Sequence, residues 1–152
     1  MVVVFSLRSF VRTFDWRNEV SLFTHDVKYA ENNYALQLYS ANALTKAKRY
    51  KEAEPHYKKS LKLLPYHWET WNNLGVLYVR TEKYDKAEKM FIRSIKENPY
   101  YFLAHKNLVL LLIKQKKTKQ AEDLIKKDLV IFPNSRELRY LYGKLLELNN
   151  LK

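Results

Sequence analysis

Trp71-Asn72-Asn73-Leu74-Gly75-Val76-Leu77-Tyr78, with Ala87, Phe91 and Pro99 further on, is the stretch on which the fold turns. Trp71, Leu74, Gly75 and Tyr78 stand at i, i+3, i+4 and i+7, which is one face of a helix. Ala87, Phe91 and Ser94 stand at i, i+4 and i+7 on a second helix. Gly75 and Ala87 are small enough to let the two backbones approach, and Trp71, Tyr78 and Phe91 fill the space between them. Pro99 stops the second helix, because it lacks an N–H and disfavours helical geometry in the residue before it.

Working outward, the same columns recur every 34 residues: Pro65, Pro99 and Pro133; Ala53, Ala87 and Ala121, each followed by Glu; Tyr57, Phe91 and Ile125. Gly75 and Gly143 are two periods apart, with Ala41 one period before Gly75. A helix–turn–helix unit of this size buries its apolar face only by stacking on its neighbours. These residues resemble the tetratricopeptide repeat family. The resemblance runs over about residues 34–152 and implies an all-α, right-handed solenoid of about three helix–turn–helix repeats with an extra helix at each end. The expected division is 1–33 for an N-terminal segment and capping helix, 34–67, 68–101 and 102–135 for the repeats, and 136–152 for a C-terminal half repeat. The unit before the clearest one has Gln37 in the Trp71 slot. The unit after it has His105 in that slot, Val109 in the small slot and Asp128 in place of Ser94, so its helix pair is expected to sit wider. Pro55 costs little if it lies in the first turn of its helix.

At the N-terminus, Asp15 to Ala30 reads as a lone second helix with Asp15 as its N-cap. The stretch Arg12-Thr13-Phe14-Asp15-Trp16-Arg17 with Leu22-Phe23 also resembles the segment joining the last membrane helix to the repeats in transmembrane-and-tetratricopeptide O-mannosyltransferase-like proteins. In that reading Val2 to Leu7 would close a membrane helix. The apolar start is far short of the roughly 20 residues that span a bilayer. It has neither the basic region nor the cleavage site of a signal peptide. The compartment stays open: cytoplasmic for a complete chain, membrane-attached and extracytoplasmic for the tail of a membrane protein.

Composition narrows the chemistry. There is no Cys, and the Gly count of 2 leaves no Gly-rich phosphate loop. The four His, at 25, 56, 67 and 105, form no i, i+4 pair, so the helical zinc spacing is missing. No strand–turn–helix elbow exposes a nucleophile. The expectation is therefore no enzyme, no cofactor and no metal. A net charge of +12 biases the chain toward acidic partners. Its cations are spread rather than clustered, which makes nucleic acid the weaker choice.

A second stripe on the first helices carries the functional expectation. Asn72, Asn73, Val76, Val79 and Arg80 lie beside the buried face, and one period later the slots hold Lys106, Asn107, Leu110, Ile113 and Lys114. One period earlier they hold Leu38, Tyr39, Asn42, Thr45 and Lys46. In the family this stripe resembles the lining of the concave groove that holds a partner peptide. Its amides suit an extended backbone because each offers a donor and an acceptor. The column Lys46, Arg80, Lys114 favours an acidic peptide. The expected binding residues are Asn42, Lys46, Asn72, Asn73, Val76, Arg80, Lys106, Asn107, Leu110 and Lys114. The family's carboxylate clamp for chaperone C-termini is doubtful, since Leu38 and Leu103 occupy two of its basic slots. Two alternatives stand beside this reading: the soluble tail of a membrane glycosyltransferase-like protein, and nucleic-acid binding through the basic surface.

Overall fold

A computed structural model describes residues 19–150, and every regular element among them is helical. The helices are α1 (Glu19–Tyr29), α2 (Tyr34–Lys46), α3 (Tyr50–Leu63), α4 (Trp68–Arg80), α5 (Tyr84–Glu97), α6 (Phe102–Lys114), α7 (Thr118–Ile131) and α8 (Arg136–Asn150). They belong to two compact units divided between Thr70 and Trp71. The membrane-junction stretch, Val2 to Leu7 and the Asp15 cap lie outside the described residues.

In the first unit α2 packs on both α1 and α3. Ala41, Leu44, Ala53, Tyr57 and Leu61 form its core. Asn33 caps α2, its Oδ1 accepting from the Ala35 and Leu36 amides at 2.9 and 3.2 Å. Ser40 and Ser60 are fully buried, and each hydroxyl donates to a backbone carbonyl of a neighbouring element, Phe23 and Tyr34 respectively. Pro55 departs from expectation. It is the sixth residue of α3, beyond the first turn, so the helix lacks one internal bond to the Lys51 carbonyl. Both residues are exposed, and solvent can serve that carbonyl.

In the second unit α6 packs on α5 and α7, and α7 packs on α8. The core runs through Leu74, Leu77, Tyr78, Phe91, Leu108, Leu112, Ile125, Leu138 and Leu145. Gly75 is there for space rather than for backbone freedom, since no glycine has a positive φ. A Cβ on Gly75 would stand 2.5 Å from Phe91 Cε1. One period on, Val109 and Ile125 occupy the two columns and both are fully buried. A larger residue on one helix is balanced by a smaller one on the other, as close packing requires.

The turns inside the repeats share one device. Lys48, Glu82 and Lys116 adopt left-handed backbone, with φ of 61°, 60° and 59°. The following amides of Arg49, Lys83 and Lys117 reach back to the carbonyls of Leu44, Tyr78 and Leu112 at 2.8, 2.8 and 2.9 Å. This is the Schellman closure, which ends one helix and aims the chain into the next.

Candidate peptide-binding stripe

Helical spacing brings Asn72, Asn73, Val76 and Arg80 to one side of α4, and Lys106, Asn107, Leu110 and Lys114 to the same side of α6 one period later. The three asparagines form a ladder. Asn107 Nδ2 donates to Asn72 Oδ1 at 2.8 Å, and Asn72 Nδ2 donates to Asn73 Oδ1 at 3.2 Å. Each bond fixes which way an amide faces, so the ladder has a single direction.

Asn72 differs from expectation. It is only 4% exposed, while Asn73 and Asn107 are half-buried. Its amide lies behind the surface and holds the two outer amides. The apolar part of the stripe is shallow: Val76 is half-buried and Leu110 exposed.

The cations frame this surface. Arg80 and Lys114 are exposed and occupy the last turns of α4 and α6, where each also complements the helix's partial negative charge. Lys114 Nζ lies 5.0 Å from the Tyr84 ring centroid, a cation–π contact that restrains it. Lys106 turns away from the amides toward Glu137, at 3.4 Å.

In the first unit Asn42 is half-buried and its Oδ1 accepts from the Tyr57 hydroxyl at 2.7 Å. Lys46 is exposed in the last turn of α2. Leu38, in a clamp slot that calls for a cation, is buried. Among the described residues no group of His, Asp and Glu is placed to hold a metal ion. None of the described helices is long and apolar enough to cross a membrane.

Residues 34–96 match the model of the tetratricopeptide repeat family. The human protein O-mannosyl-transferase TMTC1 is 35% identical over 77 residues, which is 51% of this chain and 9% of that protein; mouse TMTC1 gives the same identity. The chain thus spans under a tenth of those relatives. Among solved structures, MamA superposes with a TM-score of 0.78 at 20% identity, over 87% of this chain and 77% of that one. YrrB, described as a tetratricopeptide protein with an unusual peptide-binding site, gives 0.70 at 22% identity over 85% and 66%. The first repeat domain of Spaghetti (RPAP3), bound to the HSP90 peptide SRMEEVD, gives 0.69 at 21% over 77% and 95%.

Proposed function

We propose that this chain, whose residues 34–96 match the tetratricopeptide repeat model, is a non-catalytic scaffold that holds an extended, acidic peptide segment along its first helices. The observation that carries this reading is the Asn107–Asn72–Asn73 ladder. A buried amide costs free energy unless it is satisfied, and Asn72 is satisfied by the two outer amides. The ladder spends that position on orienting two outer amides, which is what pairing with a peptide backbone requires. Asn73 and Asn107 are the backbone contacts in this proposal, Asn72 positions them, and Val76 and Leu110 give shallow apolar contact. Arg80 and Lys114 attract the acidic side chains, with Lys106 at the border. Asn42 and Lys46 offer the same chemistry in the first unit.

Two neighbours by fold have peptide binding in their descriptions, and the SRMEEVD ligand of one carries two Glu and one Asp. These descriptions support a peptide as the ligand class.

Selection from a displayed library of random heptapeptides tests the reading. Enriched sequences are expected to be rich in Asp and Glu. Arg80→Glu combined with Lys114→Glu is expected to abolish capture at unchanged helical circular dichroism. Enrichment without acidic residues, or capture that survives the double variant, rules the stripe out. Binding of random-sequence DNA at about 0.15 M salt, with a steep salt dependence, would instead favour the basic surface as a nucleic-acid site.

A second reading follows from the TMTC1 match: the repeats form the soluble tail of a membrane glycosyltransferase-like protein and recruit its substrate. Sequencing the gene upstream of the Met1 codon decides it. A long hydrophobic reading frame continuous with the repeats supports the tail, and a stop codon in frame directly upstream eliminates it.

A further inference from the structure

Away from the stripe, a solvent-open hollow of about 420 Å³ lies between the start of α6 and the α7–α8 loop, lined by Phe102, Phe132, Pro133, Ser135, Arg136 and their neighbours. Its floor is aromatic. Phe102 and Phe132 meet edge to face at 5.3 Å, and Phe132 in turn meets His105 at 5.2 Å. A hollow of this size is within the range of small-ligand sites.

The chain itself shows what would fill it. In the first unit the loop residue His67 sets its ring against Tyr34, with centroids 5.4 Å apart. Tyr34 and Phe102 occupy one column, and His67 and Ser135 another, two periods apart. Where the first loop supplies a ring, the third supplies a hydroxyl. Ser135 uses its hydroxyl to cap α8, accepting from the Leu138 amide at 3.2 Å. Phe102 keeps the edge contact with Phe132 and the nearby Lys106 ammonium, but no ring from the 135 position reaches it, and it borders the open hollow.

Charge narrows the identity of that occupant. Lys106 Nζ lies 5.9 Å from the Phe102 ring centroid, Arg136 lines the hollow, and Arg139 donates to the Pro133 carbonyl at 2.6 Å. The one acidic residue of the lining, Glu137, is already paired with Lys106 at 3.4 Å. We infer that this hollow binds the aromatic side chain of a peptide segment that carries a carboxylate next to the ring. The ring takes the place that His67 takes over Tyr34, and the carboxylate faces Arg136. The site shares Lys106 with the border of the stripe but none of its asparagines or apolar contacts, so the two are tested separately.

The test is an amide-shift titration of the full chain with acetyl-Glu-Phe-amide, acetyl-Glu-Ala-amide and acetyl-Gln-Phe-amide. The first peptide is expected to move the amides of Phe132, Asn134, Ser135 and Glu137. Loss of the ring should weaken binding about tenfold, and loss of the carboxylate about threefold. Ser135→His places a ring in the hollow and is expected to weaken the first peptide by about tenfold or more. Phe102→Leu removes half of the aromatic floor while α8 keeps its cap, and should weaken it similarly. Shifts confined to Val76, Asn107 and Leu110 would overturn the site. So would equal affinity for the Phe and Ala peptides, or undiminished binding in both variants.

Discussion

His105 and Asp128 are two departures from the repeat pattern that pair with each other, through one of the two carboxylate oxygens. His105 stands where the clearest unit has Trp71, and Asp128 where it has Ser94, yet Nδ1 and Oδ1 lie 2.6 Å apart in a buried pair. The other ring nitrogen contacts the Pro99 carbonyl at 2.9 Å. A carbonyl only accepts, so Nε2 carries a hydrogen and Nδ1 shares its interaction with the carboxylate. Gln37, in the same column, donates its Nε2 to the Glu31 carbonyl at 2.9 Å, also six residues back. The property common to Gln37 and His105 is a side-chain N–H aimed at a carbonyl just before the helix. Trp71 also has a side-chain N–H.

Removing His105 should therefore cost more than its size suggests. His105→Leu leaves a buried carboxylate and a buried carbonyl without their donor, and the expected loss is about 3–5 kcal/mol in urea unfolding. His105→Gln with Asp128→Ser rebuilds the combination seen at Gln37 and Ser60 and should recover most of that loss. A double-mutant cycle among His105→Leu, Asp128→Ser and their combination should give a coupling of at least about 1 kcal/mol. Additive single effects would show that the two residues act independently.

The two glycines should respond oppositely to the same substitution. Gly75→Ala drives a methyl into the Phe91 ring, which is 1% exposed and has no room to withdraw. Overpacking of this kind costs about 1–3 kcal/mol. At Gly143 a Cβ meets nothing within 4 Å. There Gly143→Ala should stabilise α8 by up to about 1 kcal/mol through helix propensity alone. Thermal unfolding of the two variants checks both signs.

These contrasts show where the sequence could be read and where it could not. Trp71, Leu74, Tyr78, Ala87 and Phe91 announce two helices because side-chain volume on one face repeats with the helical period. Gln37 and His105 break that hydrophobic column, and their shared hydrogen-bonding role appears only once the carbonyls of Glu31 and Pro99 are in place. Asn72 reads as a lining residue because period alone cannot tell the edge of a buried face from the surface beside it. The hollow at Phe102 is invisible for a related reason: what defines it is the ring that Ser135 lacks, and this matters only against the His67–Tyr34 contact. The left-handed turns were hidden too, since Lys48, Glu82 and Lys116 are not the residues that usually mark them.

Those turns yield a stabilising prediction. A side chain in the left-handed region costs about 1–2 kcal/mol, which glycine avoids, although glycine loses more entropy on folding. Glu82→Gly should therefore raise stability by about 0.5–1 kcal/mol. Glu82 is exposed, so little packing is lost. Lys116→Gly should act in the same direction, and a lowered urea midpoint for both would show that neither turn is strained.

The last prediction concerns pH. His56 donates from Nδ1 to Gln37 Oε1 at 2.7 Å, an assignment set by the Gln37 amide, whose nitrogen already serves Glu31. Burial of the ring lowers the pKa of His56, the Lys59 ammonium lowers it further, and Glu52 partly opposes them. The unfolded chain takes up this proton near the ordinary histidine value of about 6.5, so it binds protons more readily than the folded chain. The stabilisation from neutral His56 is therefore complete above that value and is lost as pH falls through the lower, folded one. Glu31 and Glu52 act in a separate, more acidic window, because Lys59 and Arg49 hold them below the usual carboxylate range. Between pH 7.5 and about 5.5, stability should decline on acidification in the parent chain. His56→Gln keeps an N–H donor but cannot titrate, and its stability should decline less over the same interval. Parallel slopes for parent and variant would remove His56 as the source.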